Sequence, residues 1–459
     1  MEPSKMNEST TAKEKSTSAH VADSIATRLA AGEMTASFIE KRKKPRTRQK
    51  LPTPARVPTL GDYEPLVSKA EVDEIRFLAE GLHRKSVKIV SAPDLESNAA
   101  EMLNRLVPLL GELEVAAQWD RLAQTEESRN VAKQLKRSLA SDDSWVTKEL
   151  QEFCSHGQDD NLGRLRFDED VVVLQDLETL GLIRAKETRD QRWVWRCHLD
   201  LSRPSAETWK ILKPFVEAHD AAIFSTQSFA CRGSIPAYLF YPCIDPLSER
   251  NKQLEPSVIQ QVCEEFGIDR ARAIVTQVSP FDRARDPLGV IDAYRIAKKY
   301  VDCQLVLAGS TSEDDPDSST VLSPIKEAAA GDSDIILAIV QPDSGTKVNA
   351  IQSASTIIVQ KSVYEGFGTT VTEALWKGKP VIGSAVGGIP NQIIHKFTGA
   401  LVHSVEGCAY QIRYLLTHPG LAEQLGKNGR EHVKENFLVT SEVKRWLLLF
   451  HILLRVAQN

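Results

Sequence analysis

Between Val363 and Ile393 the chain reads VYEGFGTTVTEALWKGKPVIGSAVGGIPNQI. The run leaves an apolar, strand-like segment, TIIVQKS (Thr356–Ser362), turns through Gly366 and Gly368, and opens a helix at Thr369 or Thr370. Glycine lets backbone come close to a ligand, and the first turn of a new helix offers unpaired N–H groups at its positive end. That is a seat for a phosphate. Glu365 lies in the turn and Glu373, eight positions on, lies about one turn into the helix. Carboxylates are good acceptors for sugar and ribose hydroxyls. A second turn, Val386-Gly387-Gly388, follows the next strand and belongs on the same carboxyl edge of a parallel sheet. A lone Gly-x-Gly is ordinary strand-to-helix punctuation; the paired glutamates and the second Gly-Gly set this stretch apart.

Outward from this run, the second half of the chain alternates strand and helix. Its strands are AIVTQVS (Ala273–Ser279), QLVLAGS (Gln304–Ser310), DIILAIV (Asp334–Val340), TIIVQKS and PVIGSAV (Pro380–Val386), each preceded by a helical segment. Five such strands predict a doubly wound parallel sheet. The first half repeats the rhythm less cleanly, with SVKIVS (Ser86–Ser91), Val115–Trp119, DVVVLQ (Asp170–Gln175), WVWRCH (Trp193–His198) and AAIFS (Ala221–Ser225). The helix NAAEMLNRLVPLLGELE places Leu103, Leu106 and Leu110 at helical spacing. Between the halves, YPCIDPLSERNKQLEP (Tyr241–Pro256) is turn-rich and polar and reads as a hinge. The last helix, SEVKRWLLLFHILLRVA, is apolar around much of its circumference and must be buried. The fold class is α/β, with two Rossmann-like doubly wound domains facing a cleft.

Composition bounds the function. The 459 residues carry 62 acids against 57 bases, a formal charge of -5, and 42% are hydrophobic, enough for a sizeable core. Near-balanced charge argues against a chain devoted to nucleic acid. No stretch approaches the roughly 18–20 apolar residues that span a bilayer, and the first twenty residues lack the apolar core of a secretory signal. Seven scattered cysteines without a Cys-x-x-Cys pair make neither a disulfide framework nor a zinc site. A reduced cytoplasm is the expected home. Residues 1–60 differ from the rest. They hold KRKKPRTRQK (Lys41–Lys50) and three prolines after it, and read as a disordered basic tail. Within them HVADSIATRLAAGEMTASFIEKRK could form a helix, and the basic run suits an anionic partner or simply water.

Glu365 and Glu373, with seven residues between, match the E-x7-E pattern of the retaining glycosyltransferases of family 4. With EGFGTTVTEALWKGKPVIGSAVGGI, WRCHLDLSRP (Trp195–Pro204), IDPLSERN (Ile244–Asn251) and TQVSPFD (Thr276–Asp282), the chain resembles the trehalose synthase branch from about Asp62 to its end. The resemblance implies a GT-B architecture. Residues 61–245 would form an N-terminal acceptor domain, 246–439 a C-terminal nucleotide-sugar donor domain, and 440–459 a helix crossing back to the first. The implied reaction passes glucose from a nucleoside diphosphate glucose, such as UDP-glucose, to glucose, giving trehalose with retained configuration. No metal or other cofactor is implied, since protein cations and helix ends balance the diphosphate. Carried over by position, Glu373 holds the donor ribose and Glu365 meets the donor sugar. Gly366, Phe367, Gly368 and Thr369 contact sugar and phosphate through their amides, with Gly387 and Gly388 also on the donor side. Arg285 stands at the family's lysine position. His198 and Asp200 match strand-end positions of the first domain, and Gln175 and Asp176 lie on the acceptor side. Pairing of subunits in the family implies a homodimer.

The departures are as informative. The family's arginine position is Pro280, which can neither carry charge nor donate a backbone hydrogen bond. Arg283 is the candidate replacement, and Asp286, in place of glycine, adds an acid beside the diphosphate. The family's glycine-rich loop is Asp94-Leu95-Glu96-Ser97-Asn98 here. A like-charge pair at 4 Å costs roughly 4 kcal/mol at an effective dielectric near 20. Gln175 stands where the family has histidine and cannot exchange a proton near neutral pH. Three readings stay open: an active retaining transferase, a catalytically impaired relative that still binds nucleotide sugar, and a phosphorylase on the same fold.

Overall fold

The structure is a computed structural model that describes residues 56–455, apart from 96, 140–143, 188–189, 231–232, 311–315 and 342. The basic run and the helix expected within the tail lie outside the described residues.

Two six-stranded, wholly parallel sheets carry the architecture. The first contains β1 (Ser86–Ser91), β2 (Ala116–Arg121), β3 (Val171–Gln175), β4 (Arg192–Cys197), β5 (Ala221–Phe224) and β6 (Ala237–Leu239), in the order β2-β1-β3-β4-β5-β6. The second contains β7 (Ile274–Val278), β8 (Gln304–Gly309), β9 (Ile335–Ile339), β10 (Ile357–Gln360), β11 (Val381–Ser384) and β12 (Gly399–Val402), in the order β12-β11-β10-β7-β8-β9. Central strands such as VVVLQ and IVTQV are buried along their whole length, as strands covered by helices on both faces must be. Register follows from this burial: Ile89 pairs with both Trp119 and Val173, and Ile358 with Thr276. β6 and β12 were not expected. They are edge strands of three and four residues, too short to print a period in the sequence.

Strand order reverses direction between β1 and β3 in the first sheet and between β7 and β10 in the second. Crossovers on either side of such a point leave toward opposite faces, opening a crevice at the carboxyl ends of the two strands.

Six helices build the cleft and its support. They are α1 (Lys69–Glu80), α2 (Ser97–Glu112), α3 (Glu126–Ser138), α4 (Pro287–Lys298), α5 (Thr369–Trp376) and α6 (Val439–Arg455). The expected burial of the last helix is met by α1 and α2, on which α6 packs after crossing back to the first lobe. Val443, Trp446, Leu447, Phe450 and Leu453 of α6 join one apolar cluster with Ile75, Leu103, Leu106 and Leu110. Each such side chain contributes roughly 1.5–3 kcal/mol on burial. The cluster continues into the second lobe through Phe367, Val371 and Ile389.

The stretch between the lobes is not the loose polar hinge its composition suggests. Asp245 is fully buried and accepts from the Arg105 Nε at 2.5 Å, the Tyr63 hydroxyl at 3.2 Å and the Leu247 N–H at 2.9 Å. Next to it, Ile244 donates to the Phe437 carbonyl and accepts from Val439 N–H, at 2.8 and 3.0 Å. The outgoing and returning passages between lobes therefore run side by side as a hydrogen-bonded strap. Asp245→Ala would leave Arg105 and Tyr63 without their shared acceptor. Its unfolding free energy in urea should fall by about 3 kcal/mol; a loss below about 0.5 kcal/mol would show that the strap is not anchored there.

Candidate active site

The carboxyl ends of β7 and β10 in the second sheet, the end of β4 in the first and the helix that follows β1 face one cavity of about 580 Å³. From the second lobe it is lined by Ser279, Pro280 and Arg285 after β7, and by Tyr364, Glu365 and Gly366–Thr370 after β10. From the first lobe come Asn98 and Met102 of α2, Lys136 of α3, and Arg196, His198, Leu199 and Asp200 at and beyond the end of β4.

The turn after β10 is built as the sequence proposes. Gly368 sits in the left-handed region at φ 80° and caps α5, where a Cβ would be strained and crowd Glu365. Tyr364 and Val363 donate to the Ala284 carbonyl at 3.3 and 2.8 Å, tying this turn to the β7 loop. Glu365, only 4% exposed, receives Arg285 Nη2 at 3.0 Å, Ser362 Oγ at 3.0 Å and Gln360 Nε2 at 3.2 Å. Arg285 also faces Asp282 at 3.6 Å. Tyr364 stands half-exposed at the cavity wall, and burial, with Asp200 across the cleft, pushes its phenol pKa up.

Gly387 and Gly388 lie against this turn. The two glycines do not line the cavity; they back the turn. Gly388 N–H donates to Gly366 O at 2.7 Å, and a Cβ on Gly387 would overlap the Glu365 carbonyl oxygen. Phe367 lends its backbone to the cavity, while its ring packs between Tyr241 and Phe437 at centroid distances of 6.1 and 5.8 Å. Glu373 is buried outside the lining. Arg250 Nη1 lies 3.7 Å from one of its oxygens, and Oε2 has no partner among the described residues. Burial raises the Glu373 pKa against the pull of Arg250 and Lys377.

Two charge expectations are corrected. Asp286 does not load the cavity with an acid, because it ion-pairs with Lys361 and caps α4 through the Gly289 N–H. Arg283 is exposed and absent from the lining, so it does not stand in for the missing arginine. Of the acidic first-lobe loop, Glu96 lies outside the described residues, Asn98 lines the cavity and Asp94 is exposed. Burial lowers the Lys136 pKa, but Asp176, Glu178 and Asp94 outweigh it and the net shift is upward, so Asp94 has a cation to face.

On the first-lobe wall, Asp176 accepts from the His198 backbone N–H at 2.7 Å and lies 3.2 Å from its Nδ1. A carboxylate only accepts, so Nδ1 carries the proton in this pair. Gln175 is buried with neither side-chain oxygen nor nitrogen hydrogen-bonded among the described residues. Gln175 and Asp176 therefore sit behind the lining, and Asp200 and His198 within it. No group of three His, Cys, Asp or Glu among the described residues is placed to hold a metal ion, and no described helix is long and apolar enough to cross a membrane.

Two family models match: "Trehalose synthase, N-terminal domain" over residues 98–231 and "Glycosyl transferases group 1" over residues 259–432. The trehalose synthase of Thermococcus litoralis is 37% identical over 398 residues, 85% of this chain and 96% of that protein. The chain belongs to the trehalose synthase family of GT-B glycosyltransferases. More distantly, the trehalose phosphorylase of Pleurotus pulmonarius is 26% identical over 452 residues, 85% of this chain and 60% of that protein. Among solved structures, Anabaena HepE in complex with UDP and glucose matches with a TM-score of 0.58 at 14% identity, covering 81% of this chain and all of that one.

Sequence reasoning about this trehalose synthase family member missed Lys136, Arg196 and Tyr364. Arg196 had a signal, since it precedes His198 by two residues and so shares its side of the strand. Lys136 lies on an irregular helical stretch and had none.

Asp176 gives a pH test. Burial raises its carboxyl pKa, but His198 and Lys136 outweigh this and hold it below the ordinary carboxylate range. A folded value below the unfolded one stabilises above about pH 4 and is lost as pH falls toward the folded value. Asp176 also sits at φ 61°, which asparagine tolerates. Asp176→Asn should cost about 1–2 kcal/mol at pH 6, with the gap to wild type closing below about pH 4. Thermal melts from pH 6 to 2.5 read this directly; a constant gap would contradict it.

Proposed function

We propose that the cleft binds a nucleoside diphosphate glucose against the second lobe and transfers its glucose, with retention, to glucose or a related sugar held against the first. One observation carries this reading. Segments at the carboxyl edges of both sheets line a single cavity, with a Gly-rich helix start and an arginine on one wall and a histidine held by an aspartate on the other.

In this mechanism the diphosphate meets the N–H groups at the start of α5 and draws Arg285 away from Glu365. Glu365, so released, accepts from the donor sugar hydroxyls. Glu373 has an unpartnered buried oxygen to offer the ribose. The departing diphosphate gains negative charge, and Arg285 with the α5 amides stabilises it in place. With Pro280 uncharged, Arg285 carries that wall. His198, oriented by Asp176, faces the reacting sugars with the ring nitrogen that Asp176 does not hold. These groups balance the diphosphate without a resident metal.

A second reading, nucleotide-sugar binding without turnover, is favoured by one feature: Lys136, Arg196 and Arg285 each already face a carboxylate. Calorimetry with UDP-glucose and ADP-glucose, followed by diphosphate release with glucose as acceptor in the presence of EDTA, separates the two. Binding with glucose-dependent release is expected. Binding without release supports the second reading, and no binding at millimolar ligand defeats both. Glu373→Gln should lower nucleotide affinity about tenfold or more without lowering the ligand-free melting temperature, because a carboxyl whose ionisation burial disfavours gives way to a neutral amide. Unchanged affinity would remove Glu373 from the site.

A further inference from the structure

Arg196 ends β4 with its side chain 6% exposed and lining the cavity. Its Nη1 donates to Glu442 Oε1 of α6 at 2.7 Å, and its guanidinium lies 5.6 Å from the Trp446 ring centroid. Its Nε is buried and has no hydrogen-bond partner among the described residues. A guanidinium offers five N–H donors, and Glu442 engages one of its nitrogens. Glu442 is itself fully buried, with Oε2 unpartnered and Oε1 also receiving Trp446 Nε1 at 3.4 Å.

Buried charges left with spare hydrogen-bonding capacity are costly unless a ligand completes them. Of the cations lining the cavity, Arg285 is 24% and Lys136 28% exposed at the side chain, so water can complete their shells. The Arg196 side chain is only 6% exposed. A flat fork of donors in the cavity wall fits a pair of anionic oxygens.

We infer that Arg196 binds a phosphoryl group in the cleft, and that Glu442 of the crossing helix is the positioning residue that holds the guanidinium from behind. The phosphoryl group belongs to the donor diphosphate, to a sugar phosphate or to free phosphate. For the first source the inference rests on the donor-site reading above; for the others it does not.

The test titrates UDP, ADP, uridine, adenosine, glucose 6-phosphate and inorganic phosphate into the full chain. Three proteins are compared: wild type, Arg196→Lys, and the double variant Arg196→Gln with Glu442→Gln, which replaces the buried ion pair by an amide pair. Wild type should bind at least one phosphorylated probe. The double variant, melting within a few degrees of wild type, should bind that probe at least tenfold more weakly, with nucleoside affinity within twofold of wild type. Arg196→Lys, which keeps the charge and loses the fork, should fall between. The probe that suffers the loss identifies the source. A loss confined to phosphate or glucose 6-phosphate, with no nucleotide bound by wild type, upholds Arg196 and defeats the donor reading. Wild-type affinity in the double variant, an equal loss for nucleoside, or no phosphorylated probe bound by wild type overturns the inference. Should the double variant not fold, Arg196→Lys decides, and an unchanged affinity there overturns it equally.

Discussion

The turn after β10 holds its shape because backbone rests on backbone. Gly388 N–H reaches Gly366 O, Gly387 leaves no room for a side chain beside the Glu365 carbonyl, and Gln392 donates to the Phe367 carbonyl from the same flank. These contacts press the loop after β10 down onto the loop after β11, and the Glu365 side chain can then lie flat against Arg285, Ser362 and Gln360. A side chain at position 387 would lift the turn and move Glu365 with it. Much of the candidate site therefore depends on a steric condition at residues that do not themselves line the cavity.

The charges around the cavity are arranged in closed pairs. Arg285 faces Glu365, Lys136 faces Glu178, Arg196 faces Glu442, and just outside the lining Lys361 faces Asp286. Among the described residues these cations present no bare positive patch, and an anionic ligand would have to exchange one charge-assisted pair for another. Such an exchange is gentler than leaving unpaired charges buried in the empty protein.

Much of the fold could be read from the sequence because buried parallel strands are written as unbroken apolar runs. VVVLQ and IIVQ announce themselves, and the 17-residue crossing helix announces its burial by apolar residues around much of its circumference. Edge strands AYL and GALV did not stand out as such runs. The turn at Gly366–Gly368 was legible since positive φ and a helix start leave a local signature. What the glycines at 387 and 388 do was not, because their partner is another loop's backbone rather than a motif. The same limit hid the fate of Asp286. Its neutralising lysine lies 75 residues away, and only the fold brings them together. The polar strap was misread for a related reason: Asp245 looks like a loop acid until Arg105 and Tyr63 surround it.

The crossing helix shows how packing and chemistry become one problem in this architecture. Its apolar residues would bury equally well with a neutral side chain at 442, yet a carboxylate sits there at full burial, 246 positions from the arginine it pairs with. Hydrophobic burial places α6 to within the tolerance of side-chain packing; the Glu442–Arg196 pair then converts that placement into an orientation of one guanidinium at the cavity wall. The same helix begins directly after Phe437 and Leu438, where the returning strand lies along Ile244, and the Phe437 ring packs at a tilt against that of Phe367 from the turn after β10. One continuous stretch, from Phe437 to Trp446, thus touches the turn of the second lobe and the arginine of the first. A shift of one lobe against the other would have to pass through it, and the two walls of the cavity are set by a common support.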